Sequence, residues 1–179
     1  MKKPTYIIDR TVIHEPSSED QIYPAFIQYA KRHYPKAEVF ANVVADVRLK
    51  DVKFKQYQSL QMKAHSKGMV PSMPDLLVNY PSRGFNLLRI ESKKVGVKIF
   101  KRDGGLLSDS HIYAQACYLS RLTQIGNLAV FCIGLENHIK LLDWYMNEDH
   151  IGPVQLEEYH FNASNGYIPE PGMIYKTNL

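Results

Sequence analysis

Cysteine is scarce in this chain of 179 residues: there are 2, Cys117 and Cys132. Both sit in apolar patterns and share no metal-type spacing. That excludes a disulfide framework and a cysteine-based zinc site, and both are read as reduced, buried thiols. Tryptophan occurs once. No window approaches the roughly 18 uncharged apolar residues of a membrane-spanning helix, so no membrane partner is expected. The start, MKKPTYIIDR, is basic but has no apolar stretch of the signal-peptide kind. The expected location is therefore the cytoplasm. No nucleophilic serine motif, glycine-rich phosphate loop, zinc pattern, repeat or low-complexity tract is visible, which removes several hydrolase and transferase classes.

What is present suits one globular domain, with an extension. The hydrophobic share of 45% can build a core, and aromatics are plentiful, with 12 Tyr and 7 Phe. The net charge of +4 permits a polyanionic partner without requiring one. That charge is unevenly spread. Lys94, Lys98, Lys101 and Arg102 follow one another with no acid between them. A second basic strip runs through Lys50, Lys53, Lys55, Lys63, His65 and Lys67.

The periodicity predicts a helix over SSEDQIYPAFIQYAKRHYP. Ser17 or Ser18 is its candidate cap, Glu19 and Asp20 lie in its first turn, and Ile22, Phe26, Ile27 and Ala30 fall at helical spacing. AEVFANVVAD reads as a strand and DVKFKQYQSLQMKAHSKG as a helix ended by Gly68. DLLVNY, the turn PSRG and FNLLRIESK form a plausible hairpin. SDSHIYAQACYLSRLTQIGN reads as a helix capped by Ser108 and stopped at Gly126. LAVFCIGL is the most apolar strand and should be central, and ENHIKLLDWYMN is a final helix. From about residue 148 the pattern weakens, and the tail reads as a loose wrap or an arm to a partner. The expected fold is α/β, a mixed sheet of four to five strands flanked by helices. Residues 1–147 form the domain and residues 148–179 a C-terminal extension that packs on the core or on a dimer partner.

The stretch MPDLLVNYPSRGFNLLRIESKK, residues 73–94, carries the chemistry. Side chains alternate along a strand, so Leu88 and Ile90 point one way while Arg89, Glu91 and Lys93 point the other. Glu91 and Lys93 then share one face at the strand end, about 7 Å apart. A hairpin would set Asp75 beside Glu91. Two carboxylates in one partly buried place repel each other, and a shared proton or a bound cation resolves the conflict. Oxygen donors of this kind suit Mg²⁺ or Mn²⁺. A lysine beside such an ion can stabilise a phosphorane-like transition state or orient an attacking water.

The order of Pro74-Asp75 and Glu91-Ser92-Lys93 resembles the PD-(D/E)XK nuclease superfamily, whose fold is restriction-endonuclease-like. The helix with Gln115, Leu122 and Gly126 before LAVFCIG narrows the resemblance to the VRR-NUC family, over roughly residues 18–145. The resemblance implies Asp75 and Glu91 as metal ligands, helped by the Ser92 backbone carbonyl and by Glu19. It implies that Lys93 meets the scissile phosphate or the water, and that Gln115 steadies Lys93 or the water. The family pattern has glycine where this chain has Ser72, and often an apolar residue where it has Ser92. His111 lies four residues before Gln115 on the same helix face and reads as a surface histidine able to assist it.

The resemblance also implies phosphodiester hydrolysis in DNA repair, of a kind frequent in phages; the cytoplasm would then be that of a bacterial host. Lys94, Lys98, Lys101 and Arg102 would grip the DNA backbone without reading sequence. No base-reading motif is evident, so branched, flapped or junction DNA is the expected substrate, and a homodimer would suit a junction. The rival reading is a catalytically idle module of the same fold that binds nucleic acid or a protein partner.

Overall fold

Every position of LAVFCI is buried except the last. A strand buried on both faces needs cover on both. In the computed structural model, which describes residues 5–8, 11–14, 16, 18–42, 72–149, 154–164 and 169–178, three helices supply it. A hairpin of β1 (Thr5–Ile8) and β2 (Thr11–His14) comes first. Then follow α1 (Glu19–His33), β3 (Glu38–Ala41), β4 (Leu76–Asn79), β5 (Leu88–Lys93), α2 (Ser110–Gln124), β6 (Leu128–Ile133) and α3 (Leu135–Met146). The last two elements are β7 (Leu156–Ser164) and β8 (Pro169–Thr177).

Six strands form one mixed sheet in the order β3-β4-β5-β6-β8-β7. β3 and β4, β4 and β5, and β7 and β8 pair antiparallel, while β5–β6 and β6–β8 are parallel. The α/β class agrees with the sequence, but the strand count exceeds the expected four to five. The difference lies in the tail. The strands β7 and β8, nine residues each, pair with each other and join the sheet beside β6, so these residues are neither a loose wrap nor a free arm. Its many turn formers hid a strand pattern that only the neighbouring sheet completes.

Strand alternation divides the core. Leu88 and Ile90 of β5 and Leu128, Val130 and Cys132 of β6 pack with Ile22 and Phe26 of α1 and Leu142 and Tyr145 of α3. Ala129 and Phe131 point the other way, against Ile112, Ala116 and Leu119 of α2 and Ile174 of β8. The helix α2 is capped by Asp109 rather than Ser108: its carboxylate accepts from the His111 and Ile112 N–H groups at 2.9 and 3.0 Å. The expected stop is present, with Gly126 at φ +85°, a conformation glycine adopts without a Cβ clash. Ser18 occupies the N-cap position of α1, but its side chain makes no capping bond. Ser17, the predicted helix over residues 51–68 with Gly68, residues 43–46 of the predicted strand, and the basic strip from Lys50 to Lys67 lie outside the described residues. Among the described residues, no helix is long and apolar enough to cross a membrane.

The hairpin β7–β8 carries one steric constraint that a substitution exposes. A Cβ at Gly172 would stand 2.7 Å from the Ala163 Cβ and 3.0 Å from the Phe161 ring, neither of which has a flexible end to move. Gly172→Ala should therefore cost about 1–3 kcal/mol through overpacking. Thermal unfolding should show the loss as a midpoint lower by several degrees. An unchanged midpoint would mean that the hairpin is not held as described.

Candidate active site

The register of β4 on β5 pairs Leu76 with Ile90, which sets Asp75, one residue earlier, beside Glu91, one residue later. Their carboxyl groups lie within hydrogen-bonding reach of each other. The Ser92 backbone N–H donates to Asp75 Oδ2 at 2.9 Å and fixes the first carboxylate on the strand. Lys93 Nζ stands 2.6 Å from Glu91 Oε1. From α2, the Gln115 amide nitrogen donates to the same oxygen. Three of these groups are shut away from water, with Glu91 2% exposed, Lys93 6% and Gln115 5%, while Asp75 is half-buried. Strand alternation explains why Glu91 and Lys93 share a place, and the crossover from β5 through α2 to β6 explains why Gln115 meets them.

Helix α1 brings two more groups. Glu19, in its first turn, accepts the Lys94 backbone N–H at 3.2 Å through Oε1. Tyr23 lies one turn later on the same face, and its hydroxyl bonds Asp75. Burial, then the charges of Asp75, Glu19 and Glu91, push the Tyr23 hydroxyl far above its ordinary range, so it stays protonated and donates. Sequence reading passed over Tyr23, although its i, i+4 spacing from Glu19 was a usable signal.

Burial pushes the Glu91 carboxyl up to about 8, and the charge of Asp75 adds to the rise; Lys93 opposes it. Asp75 is raised as well, chiefly by burial, against the pull of the Ser92 N–H and Lys93. The pair thus keeps a proton near neutral pH when no cation lies between the two groups. The donor chemistry fits a hard divalent ion: two touching carboxyl groups in a buried place, beside a Gln115 Oε1 that has no hydrogen-bond partner. Among the described residues, no three His, Cys, Asp or Glu side chains gather closely enough to cage a metal ion. Asp75 and Glu91 with the Ser92 carbonyl would hold the ion, and water would fill the other positions, as is usual for Mg²⁺. Glu19 stands near but is turned to Lys94.

The Ser92 side chain points to the opposite face of the sheet. Its Oγ lies 2.8 Å from Nε2 of His138 on α3. His138 is wholly buried, and its Nδ1 donates to the Gly134 carbonyl at 2.7 Å. Burial lowers its pKa to about 4, so the ring is neutral. Sequence reading missed this residue too. His138 occupies the apolar face of α3, in helical step with Leu135, Leu142 and Tyr145.

The basic loop between β5 and α2 leaves Lys94, Lys98, Lys101 and Arg102 exposed. Ile99, buried under α2, anchors it. The C-terminal hairpin holds its far side. Lys176 Nζ lies 4.2 Å from the Phe100 ring centre and 4.0 Å from that of Tyr159, and donates to the Gly104 carbonyl at 3.2 Å. The Leu106 N–H donates to the Tyr159 hydroxyl at 2.7 Å. His111 is exposed at the start of α2, one turn before Gln115, which is buried.

No family model and no curated protein matches the chain. Among solved structures, it is similar to one described as a "VRR_NUC domain protein", at 17% identity and a TM-score of 0.46, over 73% of this chain and 89% of that one.

The shared proton makes stability depend on pH. The folded state binds a proton at Glu91 more tightly than the unfolded chain does, so its stabilising effect is present below about 4.5 and is lost as pH rises to about 8. In chelator, the melting temperature of the wild type should fall across that window more than that of Glu91→Gln. Parallel pH profiles for the two proteins would contradict the assignment.

Proposed function

We propose that this chain is a metal-dependent endonuclease that hydrolyses phosphodiester bonds in DNA, with Mg²⁺ or Mn²⁺ as its cofactor. The observation that carries the reading is the meeting of Asp75, Glu91, Lys93 and Gln115 in one buried place at the end of the central strands. A bound divalent ion supplies charge neutralisation at the phosphate and a water of lowered pKa. Asp75, Glu91 and the Ser92 carbonyl would hold that ion. Glu19 adds a further acid at the rim, and the Tyr23 hydroxyl gives Asp75 a second donor beside the Ser92 N–H.

Lys93 is the one ammonium in the buried set. With an ion held by Glu91, the Lys93 ammonium would be free to meet the negative charge that grows on the scissile phosphate. Gln115, bound to the same Glu91 oxygen, holds the carboxylate and the lysine in register or steadies the attacking water. As the family resemblance implies, water attacks phosphorus, the P–O3′ bond breaks, and a 3′-hydroxyl and a 5′-phosphate remain.

Lys94, Lys98, Lys101 and Arg102 lie in the loop that leaves the site, so they bind the backbone on either side of the cut. Their contacts carry no sequence information. Branched, flapped or junction DNA is therefore the favoured substrate, and a homodimer would place two such sites on one junction. The working environment is the cytoplasm.

Purified protein with Mg²⁺ or Mn²⁺ should cut at least one of a set of labelled linear, flap and four-way DNA substrates. Asp75→Ala should abolish cleavage, and Lys93→Ala should slow it by about 10²–10³-fold. Failure on every substrate, or full activity in Asp75→Ala, would overturn the reading. Replacing Lys98, Lys101 and Arg102 together by alanine should weaken DNA binding and reduce the slope of log affinity against log salt by about 2–3. A slope equal to that of the wild type would remove this loop from the DNA path.

A further inference from the structure

The end of β5 is stitched to the start of α3 at two consecutive residues. The Gly134 N–H donates to the Lys93 carbonyl at 2.9 Å. The next link is the ring of His138. Its Nδ1 must be the donor toward the Gly134 carbonyl, because a carbonyl only accepts. A neutral ring then has a bare Nε2, which accepts the Ser92 hydroxyl proton across 2.8 Å. The ring packs edge-on against Phe26 at 5.9 Å between centres.

Ser92 is the residue through which this restraint reaches the site. Its N–H holds Asp75 Oδ2, its neighbours in sequence are Glu91 and Lys93, and its carbonyl completes the donor set proposed above. We propose that His138 is a positioning residue for the metal site. By fixing the Ser92 hydroxyl from behind the sheet, it sets the orientation of the peptide groups that flank Ser92, and with them the directions in which Asp75 and the Ser92 carbonyl present their oxygens. Partners behind a ligand commonly change metal affinity by about 10–100-fold when removed. The position has a counterpart in the sequence: a hydroxyl stands between Glu91 and Lys93, and a histidine stands on the face of α3 otherwise given to leucine and tyrosine.

This inference rests on the metal-dependent reading of the site, and the test separates the two. Mn²⁺ is titrated by calorimetry into chelator-treated protein without DNA. Wild-type protein should bind it and Asp75→Asn should not; binding that ignores Asp75, or no binding, overturns the metal reading itself. His138→Phe keeps the volume against Phe26 but offers Ser92 no acceptor, and should bind Mn²⁺ about tenfold more weakly or worse. His138→Gln retains both an acceptor and a donor and should recover most of the affinity. Ser92→Ala removes only the hydroxyl and should repeat the loss, which keeps the test open if His138→Phe does not fold. Folding is checked by circular dichroism. Wild-type Mn²⁺ affinity in a folded His138→Phe or in Ser92→Ala would overturn the positioning role while leaving the metal reading intact.

Discussion

Two carboxyl groups that touch in a buried place are the constraint around which this end of the molecule is built. Burial opposes the ionisation of both Asp75 and Glu91, and the charge of Asp75 raises Glu91 further. The surrounding chain answers with donors: the Ser92 N–H and the Tyr23 hydroxyl on Asp75, and the Lys93 ammonium and Gln115 amide on Glu91. Removing any one donor leaves a buried oxygen with less compensation, which is costly in a dry site. Once the shared proton leaves, two carboxylates face the single Lys93 ammonium, and a cation can take the proton's place.

The sheet topology makes this contact unavoidable. Antiparallel pairing of β4 with β5 brings a strand start to a strand end. The parallel step from β5 to β6 then requires a crossover, and the crossover helix α2 covers the face that holds Glu91 and Lys93. The other face receives α1 and α3, which supply Tyr23 and His138. The loop that carries the exposed basic residues is part of the same crossover. The C-terminal hairpin steadies that loop by seating Lys176 between Phe100 and Tyr159, an arrangement in which the ammonium faces two electron-rich rings.

The sequence made the site easier to read than the frame around it. Asp75, Glu91 and Lys93 were legible because strand alternation and hairpin register are local rules, whereas Gln115 was pointed to only by the family resemblance. Position 72 was legible in part. Ser72 sits at φ +66°, in the left-handed region that glycine enters freely, and the resembled family has glycine there. The tail was not legible. Its strands pair with each other and with β6, and only Val130 and Tyr175 mark that junction, so nothing within the tail announces the sheet it joins. Tyr23 and His138 read as core because their helix faces are core. What sets them apart is the polar partner across the fold, Asp75 for one and Ser92 for the other, which no helical pattern reveals.

On the proposed reading, a divalent cation takes the place of the proton that Asp75 and Glu91 share. Anomalous diffraction from crystals grown with Mn²⁺ reads this directly. The account predicts one peak at direct coordination distance from both carboxylates, with Lys93 turned away from Glu91. A map without a peak there, or with the two carboxyl groups still sharing a hydrogen bond, would contradict it.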